Sequence, residues 1–417
     1  MGLLTSLTRT WLTRSPKPFR FLNEADEHLP YADLEGLGLY VHIPFCKSPC
    51  SFCPYCKTVY RGELADRYLD ALLEEIRLVG RQSVEKKRVT SLYFGGGTPA
   101  LVADRLGEII GAIREYFEIT DGIGVELHPD NVTPSVLRTL ADAGVTRISI
   151  GIQSFSERSL GMLGRSAPDL AAVRAALSEV RFETVSMDLI FALPGQTLDE
   201  LILDMETAFA SGANHAAVYP FIDFAFTDST LGAMPKRERR ALLDGITRHA
   251  AARGYHRTSI WTFSNREGAR YSSMTRDNFL GFGCSATTLL RDSFKINTFS
   301  VEEYCRRIGE GKLPTSLTLR FTRRQRMVYY LFWTAYSTRV DPRDFRRFFG
   351  VSLGRMYGLE ITLARLLGLV RKKNGIYEMT PAGAFYYHYY EGFYTLAYID
   401  KMWGIMRKEA FPREIVL

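Results

Sequence analysis

Between residues 37 and 222, apolar runs and helical patterns take turns, and this rhythm restricts the fold more than any other feature of the chain. The apolar runs are 38–44, 90–94, 124–128, 147–153, 184–192 and 216–221. Helical periodicity fills the gaps over 64–80, 103–118, 134–143, 168–180 and 198–211. A parallel neighbour strand needs a crossover long enough to hold a helix, so strands spaced this way predict βαβ units. Six units build an open α/β barrel, three-quarters of the eight-stranded form, with its chemistry at the C-terminal strand ends.

After residue 222 the rhythm breaks. Residues 255–290 read as further strands and loops that close one side of the barrel, and 320–336, 342–349 and 353–367 read as helices. The turn Lys372-Lys373-Asn374-Gly375 between 369–371 and 376–379 predicts a hairpin, and helices followed by a hairpin suggest a winged-helix-like module. The expected division is a basic leader over 1–36, the barrel with its closing strands over 37–300, the module over 301–383 and an aromatic-rich helical tail over 384–417. Residues 320–347 carry eight arginines against two aspartates. Solvated arginines on a lid or partner face are commoner than a DNA-reading wing, so nucleic acid is not expected as a partner.

The leader has Arg9, Arg14, Lys17 and Arg20 and no acid before Asn23, and residues 384–410 of the tail have six tyrosines, two phenylalanines and Trp403. Both segments are consistent with a membrane surface, and the tail also with an apolar substrate channel. The favoured expectation for each is packing on the protein's own body. The chain has a net charge of +7 and no apolar run long enough to span a bilayer. It is expected to be cytoplasmic, with peripheral membrane contact as the variant.

Four of the six cysteines, Cys46, Cys50, Cys53 and Cys56, fall within eleven residues just after the first strand. A disulfide framework belongs to short secreted chains, so this cluster reads as a metal site. Thiolates at Cys46, Cys50 and Cys53 can hold three corners of a 4Fe–4S cube and leave the fourth iron open to chelate S-adenosylmethionine (SAM). A structural zinc site completed by Cys56 is the weaker alternative, because zinc ligands usually come as two separated pairs.

The stretch Tyr40-Val41-His42-Ile43-Pro44-Phe45-Cys46 resembles the oxygen-independent coproporphyrinogen III oxidase-like branch of radical SAM enzymes, which includes methyltransferase-like members. So do Phe94-Gly95-Gly96-Gly97-Thr98-Pro99, 147–155, Leu163-Gly164-Arg165, 188–197 and Gly281-Phe282-Gly283. The resemblance covers roughly residues 38–383. It implies a 4Fe–4S cluster on Cys46, Cys50 and Cys53, and one or two molecules of SAM. Tyr40, Gly95, Gly96, Gly97, Glu126, Gln153, Arg165 and Asp188 would surround the first SAM. Gly97, Thr98, Tyr219 and the Gly281–Gly283 loop are candidates for a second. Tyr40, Cys56 and Glu126 are the candidates for catalytic roles. Cys56 could serve as a substrate-side thiol or hydrogen donor, or be inert. His42 is a candidate loop-placing residue, and His128 is expected to be structural. Cys284 and Cys305 are expected to be ordinary buried cysteines.

The function implied is reductive cleavage of SAM to a 5′-deoxyadenosyl radical, with electrons from a donor such as a flavodoxin or ferredoxin. The favoured use is methyl or methylene transfer, or carbon–carbon bond chemistry, on a small-molecule or lipid-like apolar substrate. The alternatives are oxidative decarboxylation or other change of a tetrapyrrole, and a haem carrier without turnover. Cys56 stands one position later than the extra cysteine of true porphyrinogen oxidases. The segment usually rich in histidine and asparagine reads Arg270-Tyr271-Ser272-Ser273-Met274-Thr275-Arg276-Asp277-Asn278 here, and both departures weigh against decarboxylation.

Overall fold

A computed structural model describes residues 3–24, 27–267 and 277–417. The expected strands form: β1 (Leu37–Ile43), β2 (Lys87–Gly96), β3 (Ile123–Leu127), β4 (Arg147–Gln153), β5 (Thr184–Phe191) and β6 (His215–Pro220). They lie in sequential order and pair parallel throughout. β1 and β5 are buried along nearly their whole length. Both faces of such a sheet are covered, which explains why these segments read as continuous apolar runs rather than alternating ones.

Crossover helices supply the outer cover. Gly62–Gly80 turns Leu69, Leu72, Ile76 and Val79 inward, an apolar stripe at helical spacing. Two starts are written plainly in the sequence: Thr133 and Thr197 each cap a helix, the latter as a capping box with Glu200. The helix expected over 103–118 stops at Tyr116, and 117–119 is instead a short strand beside β2.

The closure reaches further than expected. Asn278–Phe282 runs parallel beside β1, followed by antiparallel Thr287–Leu290, Ser293–Asn297 and Thr315–Arg320. The edge is then completed by Arg20–Leu22 and Glu414–Val416. The last two lie in the segments expected as leader and helical tail. Three residues are too few to show a strand period, so neither is visible in the residue pattern. Thr262–Ser264 pairs antiparallel with β6 on the opposite edge.

The hairpin Val370–Lys373/Ile376–Met379 forms, with Asn374 and Gly375 both at positive φ as a type I′ turn requires. Arg339–Val340 adds a third strand to it. Helix Arg323–Tyr336 faces two cores. Met327 and Tyr330 pack with Phe345, Leu353 and Tyr357, while Tyr336 packs into the main core. The arginines here are largely engaged: Arg324 donates to the Leu12 and Met356 carbonyls, Arg326 to that of Arg291, and Arg343 and Arg347 pair with Asp341 and Asp344.

Both termini pack on the body. Helix Leu3–Thr13 buries Arg9, which donates to the Leu417 carbonyl. The tail stacks Tyr387 and Tyr394 on Phe332 and sets His388 between Phe191 and Trp261. No helix among the described residues is long and apolar enough to cross a membrane.

Candidate radical SAM site

The loop leaving β1 carries Cys46, Cys50 and Cys53, three free and half-buried thiols. Lys57 fastens it by donating Nζ to the carbonyls of Cys50 and Cys53, the latter at 2.8 Å. A backbone bond from Cys53 to the Cys50 carbonyl at 3.3 Å tightens the turn. Burial pushes the Cys46 thiol up to about 11, and the neighbouring Cys53 and Cys50 push the same way. A metal centre bound by these thiols would deprotonate them, since the thiolate is the ligand form. The soft sulfur donor set, gathered on one loop, fits an iron–sulfur cluster.

His42 positions that loop from beneath. Its Nδ1 meets the Tyr40 hydroxyl at 3.0 Å and its Nε2 the Cys56 carbonyl at 2.9 Å. The Tyr40 ring stacks on Tyr93 at 6.3 Å. The glycines of 95–97 are needed by the chain itself. A Cβ on Gly96, at φ +116°, would lie 2.6 Å from the His42 ring, and one on Gly97 would lie 2.5 Å from the Phe45 carbonyl oxygen. The closest approach that excludes a side chain at Gly96 and Gly97 is therefore to the cluster loop. Thr98 anchors the same backbone, its N–H donating to the Phe45 carbonyl at 2.7 Å.

Glu126 stands on β3 opposite Gly95. Its two carboxylate oxygens accept from the Tyr93 hydroxyl at 2.8 Å and the Gly96 N–H at 3.1 Å. Burial raises its pKa against those two donors. Asp188 lies in mid-β5, deeper than the strand end expected for it, and accepts from the Ser149 hydroxyl at 2.8 Å. Burial first and the Glu126 charge second push it up to about 7. Gln153 closes β4 at φ +72°, where the register with β5 shifts.

Arg165 is delivered by a helix stop. Ser156 caps Glu157–Met162, Gly164 takes φ +63°, and the chain turns back. The guanidinium then donates to the Gly151 carbonyl at 2.8 Å and to Cys50 Sγ at 3.2 Å. The motif 193–197 makes a similar device after β5. Ala192 and Gly195 sit at positive φ, Gln196 donates to the Ile190 carbonyl at 3.3 Å, and Thr197 starts the next helix.

Tyr40, Gly95, Gly96, Glu126, Arg165 and the three cysteines therefore share one linked set of contacts, with Gln153 and Asp188 on the next two strands. Tyr219, on β6, is 40% exposed beside Trp261. The Gly281–Gly283 loop differs from its expected place at a ligand: it is wholly buried, and the space beside it is filled by the Thr287 backbone, the Tyr68 hydroxyl and the His42 carbonyl. His128 caps the turn 129–131 by accepting from the Asp130 N–H, the structural role expected of it. Residues 270–276 of the segment that departs from the porphyrinogen oxidases lie outside the described residues.

Cys56 points away from the other three. Its Sγ lies 3.2 Å from the Phe299 carbonyl and 4.0 Å from Cys284 Sγ, and all of this is buried. With His42 these thiols form a group whose ligand atoms lie within 4.8 Å of one another, separate from the three-cysteine loop. Cys284 thus has a partner 228 residues away, which spacing along the chain could not reveal. Cys305 is half-buried rather than buried. Lys57 and Arg407 were also missed. A lone lysine carries no pattern, and Arg407 reaches the Pro54 and Tyr55 carbonyls from the far end of the chain.

Comparison with known proteins gives the family and relatives of the chain that carries these residues. The Radical SAM superfamily matches residues 40–208. The heme chaperone HemW of Lactococcus lactis is 34% identical over 49% of this chain, a match spanning about half (52%) of that relative's length. The Bacillus subtilis heme chaperone HemW is 26% identical over 82% of this chain and 95% of its own. The oxygen-independent coproporphyrinogen III oxidase of Cereibacter sphaeroides is 27% identical over 67% of this chain and 68% of its own. Coproporphyrinogen III oxidase (HemN) from Escherichia coli shares the fold, with a TM-score of 0.72 over 86% of this chain and 90% of that one at 23% identity. Residues 40–208 are thus a radical SAM domain, its cofactors are a 4Fe–4S cluster and SAM, and the chain's relatives are heme chaperones and oxygen-independent coproporphyrinogen III oxidases.

Proposed function

We propose that this chain binds a tetrapyrrole over the cluster and changes it oxidatively, with SAM as the oxidant. When bound, the cluster supplies one electron to the sulfonium of SAM, releasing methionine and a 5′-deoxyadenosyl radical. The chain's residues do the rest. Cys46, Cys50 and Cys53 would hold the cluster, and Tyr40, Glu126, Gln153, Arg165 and Asp188 would orient SAM. The two carboxylates suit its hydroxyls and positive charges, and Arg165 its carboxylate. The barrel wall excludes water from the radical.

The observation that carries this reading is a rim with two kinds of surface. The polar set of Glu126, Asp188 and Arg165 lies inside, and two exposed aromatics, Tyr55 at 52% and Tyr219 at 40%, stand near it. Exposed rings beside a polar cofactor cradle suit a large flat apolar ligand. The relatives that span most of the chain are named for haem and coproporphyrinogen, which favours a tetrapyrrole over the apolar methyl acceptor expected from sequence. The 95% coverage of a heme chaperone also favours a second reading, haem carriage without turnover.

One anaerobic assay separates these readings. Reconstituted protein receives dithionite and SAM, with and without coproporphyrinogen III or haem. The proposal expects 5′-deoxyadenosine, formed faster with the tetrapyrrole. S-adenosylhomocysteine as the product would restore methyl transfer, and tight haem binding with no SAM cleavage would select the carrier.

A further inference from the structure

The C-terminal tail crosses directly over the cluster loop, and no step above makes use of it. Helix Pro381–Tyr394 is held on the barrel by Lys236, whose Nζ lies 3.6 Å from the centre of the Tyr389 ring. A π-helical segment, Thr395–Ile399, follows, and Asp400 then accepts from the Ala225 N–H at 2.8 Å. Such π segments are rare and gather at functional places. Beyond residue 407, Glu414–Val416 is sewn into the sheet beside Arg20–Leu22. The tail is therefore a strap fixed at both ends.

What it lays on the loop is specific. The Trp403 ring packs against Tyr55 at 6.1 Å, Phe299 at 6.0 Å and Phe226 at 6.5 Å. Arg407 rests on the Phe226 ring at 4.8 Å and donates Nη2 to the carbonyls of Pro54 and Tyr55, the latter at 2.9 Å. Those two residues directly follow Cys53.

We infer that Arg407 is a positioning residue for the cluster loop and that its fixed positive charge raises the reduction potential of the cluster held there. A 4Fe–4S core bound by three thiolates is anionic, and taking up an electron makes it more so. A nearby cation favours the reduced form. Cation–π contact with Phe226 and the two carbonyl bonds keep that charge in place.

The test uses full-length reconstituted protein and its Arg407→Gln and Arg407→Lys variants. Midpoint potentials are read by potentiometric titration followed by electron paramagnetic resonance, and iron loss is followed with a chelator. Arg407→Gln should shift the potential downward and lose iron faster. Arg407→Lys should keep the potential near wild type, because charge sets it, while still losing iron faster, because the two-carbonyl fork is gone. An unchanged potential in Arg407→Gln overturns the inference, as does an equal downward shift in Arg407→Lys. A wild-type chain that takes up no cluster would fail the cofactor assignment as well. A loaded wild type with an indifferent Arg407→Gln removes this inference alone.

Discussion

Among the residues proposed to orient SAM, Asp188 gives a prediction of pH dependence. Its pKa rises from 3.8 to about 7 on folding because it is buried near Glu126. The folded chain therefore holds more protons than the unfolded one between those values, and this group lowers stability as pH climbs through the window. Above it the carboxylate is ionised and ready for a cationic ligand. SAM should bind more tightly at pH 8 than at pH 6, and Asp188→Asn should flatten that difference in isothermal titration. Gly97 gives a steric prediction. A Cβ there meets backbone rather than a movable side chain, so Gly97→Ala should cost about 1–3 kcal/mol by overpacking. A lower thermal midpoint and poorer iron retention would show it. Glu126, Gln153 and the cysteines could be picked out in sequence because they stand near strand ends or in one short loop, whereas Asp188 lies in mid-strand. Lys57 and Cys284 could not, since their roles depend on contacts that no local pattern encodes.

At the scale of elements, one buried carboxylate joins three of them. Glu75, on helix Gly62–Gly80, accepts from the Gly283 N–H at 2.7 Å, the Tyr304 hydroxyl at 2.6 Å and the Asn297 amide at 3.2 Å. Glu75→Ala leaves buried donors unpaired, at about 1–3 kcal/mol for each one stranded. Denaturant titration should show a much larger loss than for Glu75→Gln, which keeps an acceptor oxygen. Barrel strands and helices could be read from sequence because burial on both faces gives long apolar runs, and capping residues such as Thr197 mark helix starts. The edge strands Arg20–Leu22 and Glu414–Val416 could not be read, because they are defined by what they pair with. The tail's aromatics were equally ambiguous, since packing on Phe332 and lying on a bilayer demand the same composition.

Across the whole molecule, the small three-stranded module has a core of its own around Phe345, joined to the barrel through helix Arg323–Tyr336. Phe345→Ala should remove about 3–5 kcal/mol locally. Hydrogen exchange should then quicken over 339–379 while the amides of β1 to β6 keep their protection. At the opposite pole, Gln153 and Ala192 finish neighbouring strands in left-handed backbone, φ +72° and +67°. Were backbone shape the sole requirement at position 153, glycine would serve with less strain. A Gln153→Gly protein should melt higher than wild type yet hold SAM less firmly. Such an outcome would mean that this rim trades conformational ease for an amide, and that the most stable version of this barrel is a poorer host for its ligand.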